Sequence, residues 1–234
     1  MKSKVFQSLD EAVADVPDGA TIMFGGFGAP GVPRNLIAAL LGQGAKELTG
    51  ISNTPGWPGH SVDIARLIEA RRMRKIVCSF VHASPTLEEL IEAGEMELEL
   101  VPQGTLSERI RAAGAGIGAF YTATGVGTEA AKGKEHKSID CRDYLLEYPL
   151  RADYAFIRAY RADTFGNLQY RLSQRNFGPI MAQAARTTIV EVEEEFLEPG
   201  AMDPDQVHTP GIFVSRMVQI PPAPEGIGDS PVPE

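Results

Sequence analysis

The chain has 234 residues, 43% hydrophobic and 23% charged, with a formal net charge of -9. A length of this kind holds one full core, expected over residues 1–220, followed by a Pro-rich, disordered tail over 221–234. The acidic balance excludes a nucleic-acid surface, and the lack of an 18-residue apolar run or a leader-like N-terminus excludes a membrane span; Cys78 and Cys141, in no metal or redox spacing, fit a reducing, cytoplasmic setting.

In chain order, Ser8-Leu-Asp-Glu11 has the form of a capping box, opening a short helix that ends before Pro17. Thr21–Phe24 reads as a buried strand that breaks into a loop holding Gly25, Gly26, Gly28 and Gly31. Pro33 then starts a helix to about Leu41, terminated by Gly42 and Gly44. A strand feeding a glycine loop beside a helix N-terminus is a place where phosphates or developing oxyanions are received. A strand at Leu48–Ile51, a helix from Val62 to Ala70 and a strand over Lys75–Val81 follow. Ser84-Pro85 opens a helix with Leu87, Leu90 and Ile91 on one face, and Glu97–Val101 is a strand.

From Ala113 to Gly127 the Gly, Ala and Thr content reads as loops around a site. Asp163-Thr-Phe-Gly-Asn167 reads as a hairpin turn between strand-forming flanks. A helix over Pro179–Ala185 and strands over Thr187–Val192 and Ile212–Ile220 close the fold. Alternating strands and helices imply an α/β protein with an open, mostly parallel, doubly wound sheet and some antiparallel strands in the C-terminal third.

Gly26-x-Gly28-x-x-Gly31 fits a dinucleotide fingerprint, which also requires an acidic residue at the end of the next strand. Ser52-Asn53-Thr54 stands there instead, which counts against an NAD-binding domain. The cluster Arg71–Lys75 is expected to cap a helix end, with a phosphate contact as the alternative. Glu191-Val-Glu-Glu-Glu195 is read as the end of a strand at a solvated or subunit surface, and Glu108, Arg109 and Arg111 as local ion pairs on a helix.

Every position of the pattern Asp-Gly, two residues, three apolar residues, Gly-Gly-Phe, three residues, Gly-x-Pro is filled between Asp18 and Pro33. Ile51-Ser-Asn53, Val77-Cys-Ser-Phe80, Val101-Pro-Gln-Gly-Thr-Leu-Ser-Glu-Arg109, Asn176-Phe-Gly-Pro-Ile-Met181 and His208-Thr-Pro-Gly-Ile-Phe213 follow in order. With these segments the chain resembles the α subunit of family I CoA-transferases from about residue 3 to 220, most of all the branch acting on 3-oxoadipate. The branch acting on acetoacetate is close behind.

The resemblance implies a subunit that moves CoA from succinyl-CoA to a 3-oxoacid. CoA thioester is substrate, and no cofactor or metal is permanently bound. The family's nucleophile is a glutamate in a Ser-Glu-Asn-Gly motif of the β subunit; here Asn occurs at 35, 53, 167 and 176 and never after a Glu. The partner is therefore expected to be a homologous β subunit, in a heterodimer or heterotetramer. By the same resemblance Gly25, Gly26, Phe27, Gly28, Ala29, Pro30 and Gly31 belong to the CoA site, and Gln103 donates to the oxyanion. Asn53 and Thr54 line the acyl pocket, Thr54 standing where the family has a second Asn. His82 is a candidate for a distal carboxylate, and Trp57 is placed over the pocket, in the core or at an interface.

Overall fold

The computed structural model describes residues 3–57, 63–81 and 84–221. In chain order the elements are α1 (Leu9–Val13), β1 (Thr21–Phe24), α2 (Arg34–Gln43), β2 (Leu48–Ile51), α3 (Ile64–Glu69), β3 (Met73–Cys78), α4 (Pro85–Glu92), β4 (Glu97–Leu100) and α5 (Gln103–Gly114). Three short strands follow: β5 (Phe120–Thr122), β6 (His136–Ile139) and β7 (Arg142–Glu147). The chain then forms β8 (Ala152–Ala159), β9 (Arg161–Ala162), β10 (Leu168–Gln169), α6 (Gly178–Ala184), β11 (Ala185–Val192) and β12 (Arg216–Gln219).

Seven strands form one sheet in the order β12-β11-β8-β1-β2-β3-β4, and every pairing in it is parallel. Strand order reverses at β1, which lies between β2 and β8, so the sheet is doubly wound with its switch point at the glycine loop. Side-chain alternation splits the core accordingly. Ile22, Phe24, Ile76 and Phe156 face α1 to α4, while Met23, Val77, Ile157 and Val190 face α5 and α6. Phe24 and Phe156 meet edge to face across the switch point, centroids 5.7 Å apart.

Helix boundaries follow local chemistry. Ser8 accepts from the Glu11 N–H at 3.2 Å, and the Glu11 carboxylate reaches back to the Gln7 N–H. Ser84 caps α4 with Pro85 in its first turn. α2 ends at Gly44 (φ 96), whereas Gly42 lies inside the helix and terminates nothing. Arg72 donates to the Gly44 carbonyl at 2.7 Å, so the basic cluster does cap a helix end, that of α2. Arg71 pairs with Glu89 and Glu95, and Lys75 with Glu97 and Glu99.

Several boundaries differ from the sequence reading. β3 begins two residues early and ends at Cys78, and β12 begins only at Arg216. Before it, Gly211–Phe213 forms a 3₁₀ turn, with Gly211 so close to the Phe165 carbonyl that a Cβ would lie 2.5 Å from it. The turn at Asp163–Asn167 forms as expected between β9 and β10, with the Asp163 carboxylate accepting from the Asn167 N–H and side-chain amide at 2.9 and 2.7 Å. A three-stranded antiparallel sheet, β5-β7-β6, falls within and after the stretch read as loops. Antiparallel pairing thus begins in the middle of the chain. Among the described residues no helix is long and apolar enough to cross a membrane.

Candidate active site

β1 delivers the chain into the glycine loop at the carboxyl edge of the sheet. The Gly25 N–H donates to the Phe156 carbonyl at 2.9 Å, keeping the loop in register with β8. The loop then turns on itself, the Phe27 N–H donating to the Pro30 carbonyl at 3.1 Å. At Gly26 the backbone has φ 111, and a Cβ there would lie 2.6 Å from Cγ2 of Val32, so only glycine fits. The N–H groups of Gly26, Gly28 and Ala29 have no acceptor among the described residues. Phe27 is 53% exposed.

Met23 of β1 lies opposite Ile51 of β2, so the loops leaving the two strands adjoin. Between them is a cavity of about 30 Å³ whose wall includes Gly25, Gly26, Gly28, Asn53, Thr54 and Trp57. The structure therefore brings together two of the sequence-predicted sets. Asn53 is 7% exposed; its backbone carbonyl accepts from the Ser79 N–H at 3.0 Å, while its side-chain Oδ1 is buried without a partner among the described residues. An orphaned amide oxygen in such a place costs about 1–3 kcal/mol until a donor arrives. Thr54 is turned to its own loop, its hydroxyl accepting from the Gly56 N–H at 3.3 Å and its carbonyl from the Ser52 hydroxyl.

Asp63 also borders the cavity and was not singled out from sequence. It caps α3 through the Ala65 N–H at 2.9 Å and holds the Trp57 N–H at 2.8 Å, so it shapes the wall that Trp57 occupies. Burial pushes its carboxyl up, against those two hydrogen bonds. An Asp directly before the apolar run Ile64-Ala65 was the available signal for this cap.

Gln103 is the first residue of α5, two strands from β2 along the same edge, and is exposed rather than part of the cavity wall. Phe27, Ala29, Pro30 and Gly31 also lie off that wall. Gly31 instead packs on the Gln174 carbonyl, and the Asn176 side chain donates to the Pro30 carbonyl at 3.0 Å. His82 and His60 lie outside the described residues. Among the described residues no cluster of ligating side chains could hold a metal ion.

Glu191 corrects two expectations. It is 0% exposed, not part of a solvated strand end; only Glu194 and Glu195 behave that way, Glu193 being half-buried. Its Oε2 accepts the N–H groups of Asn35 and Leu36 at 2.9 and 3.0 Å, and the Asn35 side chain donates to Oε1 at 3.3 Å. The N-terminus of α2 is thus already occupied by a carboxylate from β11, because Pro33 offers no side-chain cap. A phosphate cannot use that helix end, which removes the second half of a dinucleotide site along with the missing acid after β2. Burial pushes the Glu191 carboxyl up to about 7, opposed by these hydrogen bonds and by Arg158.

A model of the coenzyme A transferase family matches residues 6–219. The chain is 50% identical over 222 residues to the A subunit of 3-oxoadipate CoA-transferase from Pseudomonas putida, covering 94% of this chain and 95% of that one. It is 52% identical over 203 residues to the A subunit of succinyl-CoA:3-ketoacid coenzyme A transferase from Xanthomonas campestris pv. campestris, covering 87% and 83%. Two solved structures share the fold at lower identity. An acyl-CoA transferase from E. coli O157:H7 superposes with a TM-score of 0.81 at 24% identity, over 99% of this chain but half of that one. Glutaconate coenzyme A-transferase from Acidaminococcus fermentans does so with 0.79 at 22% identity, over 94% of this chain and 76% of that one. From Phe6 to Gln219, glycine loop and switch-point cavity included, the chain belongs to the coenzyme A transferase family.

Proposed function

We propose that this chain is the α subunit of a CoA-transferase that moves CoA from succinyl-CoA to a 3-oxoacid, 3-oxoadipate foremost, with the nucleophilic glutamate on a β subunit. The observation that carries this reading is the small cavity at the switch point. Asn53, whose Oδ1 has no partner among the described residues, and the loop glycines Gly25, Gly26 and Gly28 border a space of about 30 Å³, far below the roughly 300–1,000 Å³ of a complete ligand site. One wall of a site is present, and a second chain must supply the other. The two relatives at 50% and 52% identity, each named as one subunit of its enzyme, support the same division of labour.

In the reaction the partner's glutamate attacks the thioester carbonyl, forming an acyl anhydride and releasing CoA thiolate. The thiolate attacks the glutamyl carbonyl, giving glutamyl-CoA and free succinate. The acceptor's carboxylate then displaces CoA to form a second anhydride, and the returning thiolate attacks its acyl carbonyl, restoring the glutamate. This chain positions and stabilises. The Gly25–Gly31 loop lies along the CoA thioester, the Gln103 amide donates to the oxyanion, and Asn53, Thr54 and His82 border the acyl group.

The test is partner dependence. Purified alone the chain has no transferase activity, and with its β subunit it has; borohydride reduction during turnover modifies only the partner. Activity from the chain alone overturns the reading. A clear preference for acetoacetate as acceptor would retain the transferase and change the substrate.

A further inference from the structure

The α2 N-terminus follows directly on the glycine loop, and both are held by residues more than a hundred positions away. Glu191 binds the Asn35 and Leu36 N–H groups from β11. Arg158, opposite it on β8, stands 3.9 Å from Glu191 and donates to Glu193 at 2.7 Å. The Gln174 side chain donates to the same Glu193 oxygen at 2.7 Å. The Gln174 carbonyl lies against Gly31, where a Cβ would come within 2.8 Å of it. One polar chain therefore touches the loop at Gly31 and the helix start at Asn35 and Leu36.

We propose that Glu191 is a positioning residue for the glycine loop, its buried carboxylate fixing the helix start that follows the loop and, through Arg158, Glu193 and Gln174, the segment that packs on Gly31. The side chain supplies the cap that Pro33 cannot. It places a full negative charge on the positive end of α2 and accepts two backbone N–H groups on one oxygen. On β12 its opposite neighbour is Val218, on β8 it is Arg158, and on α2 it meets Asn35. Arg158 is the charge that lowers its carboxyl, and Glu193 shares that guanidinium; Arg34, in the first turn of α2, acts on Asp63. Burial favours the protonated acid, so the contact is tightest below neutrality and loosens as pH rises through about 7.

The test uses the chain assembled with its β subunit, and its kinetic arm rests on the CoA-transferase reading. In Glu191→Ala the Asn35 and Leu36 N–H groups lose their acceptor, whereas in Glu191→Gln Oε1 still accepts both. KM for the acyl-CoA donor is expected to rise by about five- to tenfold in Glu191→Ala, with kcat changed by less than about twofold, and to return most of the way in Glu191→Gln. Amide exchange over residues 25–37 is expected to accelerate in Glu191→Ala, most at Leu36, beyond what its fall in global stability accounts for. In the unsubstituted protein KM rises, and the Leu36 protection factor falls, from about pH 6 to pH 8; in Glu191→Gln both are flat. Unchanged exchange and KM in Glu191→Ala, or a loss confined to melting temperature, overturn the proposal. If Glu191→Ala does not fold, the pH series on the unsubstituted protein decides, a flat Leu36 protection factor being the overturning result. If the assembled protein transfers CoA between no thioester and acid, the functional reading fails, and exchange over residues 25–37 still decides the role of Glu191.

Discussion

The carboxylate of Glu191 and the backbone N–H of Leu36 meet at 3.0 Å, 155 residues apart in the chain. The contact gives α2 a cap that its own sequence lacks, and it places a fully buried acid next to the loop of the candidate site.

Glu191 sets a pH dependence of stability. Its carboxyl is raised from an ordinary 4.5 to about 7. The folded protein therefore keeps a proton that the unfolded chain releases across that window. This contribution is fully present below about pH 4.5 and is lost as pH rises to about 7. The difference in unfolding free energy between the unsubstituted protein and Glu191→Gln, measured in urea, should fall by on the order of 2–3 kcal/mol from pH 4.5 to 7.5. A difference that rises with pH would contradict the burial argument.

Gln103 starts α5 with its side chain exposed, so its removal leaves the core untouched. Gln103→Ala should lower kcat of the assembled enzyme by roughly 10²–10³-fold, the usual cost of one oxyanion donor. Melting temperature and partner association should not change. A loss in kcat below about threefold would reduce the residue to a helix start.

Two glycines should respond in opposite directions. Gly26→Ala forces a side chain into φ 111 and against Val32, and should destabilise by about 1–3 kcal/mol while disabling the site. Gly42 lies inside α2 with open space around it, so Gly42→Ala should stabilise by about 0.5–1 kcal/mol. Chemical denaturation of both variants checks the pair, and equal effects would mean that the loop tolerates rearrangement.

Cys78 is 0% exposed with its thiol pushed up to about 11 by burial, whereas Cys141 is exposed in the turn between β6 and β7. A thiol reagent at pH 8 should therefore modify one cysteine of the isolated native chain quickly, and peptide mapping should find it at Cys141. The second should react only on denaturation. Fast reaction at Cys78 would mean that the core around β3 opens readily.

The acceptor preference rests on the segments Val77–Phe80 and Asn176–Met181, which resemble the 3-oxoadipate branch. With succinyl-CoA as donor, kcat/KM for 3-oxoadipate should exceed that for acetoacetate by roughly ten- to a hundredfold, the worth of one charge-assisted hydrogen bond to the second carboxylate. Equal values would mean that neither subunit meets that carboxylate.

What local sequence determined is what local physics controls. Thr21–Phe24 and Leu48–Ile51 were legible to the residue, because strands buried on both faces are short apolar runs cut by turn formers. Ser84-Pro85 and Asp163–Asn167 were legible because caps and turns are settled within a few residues. The glycine loop and Asn53 could each be named from motif alone, but their meeting at one cavity required the parallel pairing of β1 with β2. The antiparallel sheet was missed because β6 is exposed along its whole length and carries no apolar alternation to read. Glu191 was misread for a deeper reason. A glutamate next to more glutamates belongs in water by every local rule, and only the tertiary structure sets it against the unpaired N–H groups of a helix that precedes it by 155 residues. Helix ends must find acceptors wherever the fold brings them, and composition cannot say where that will be.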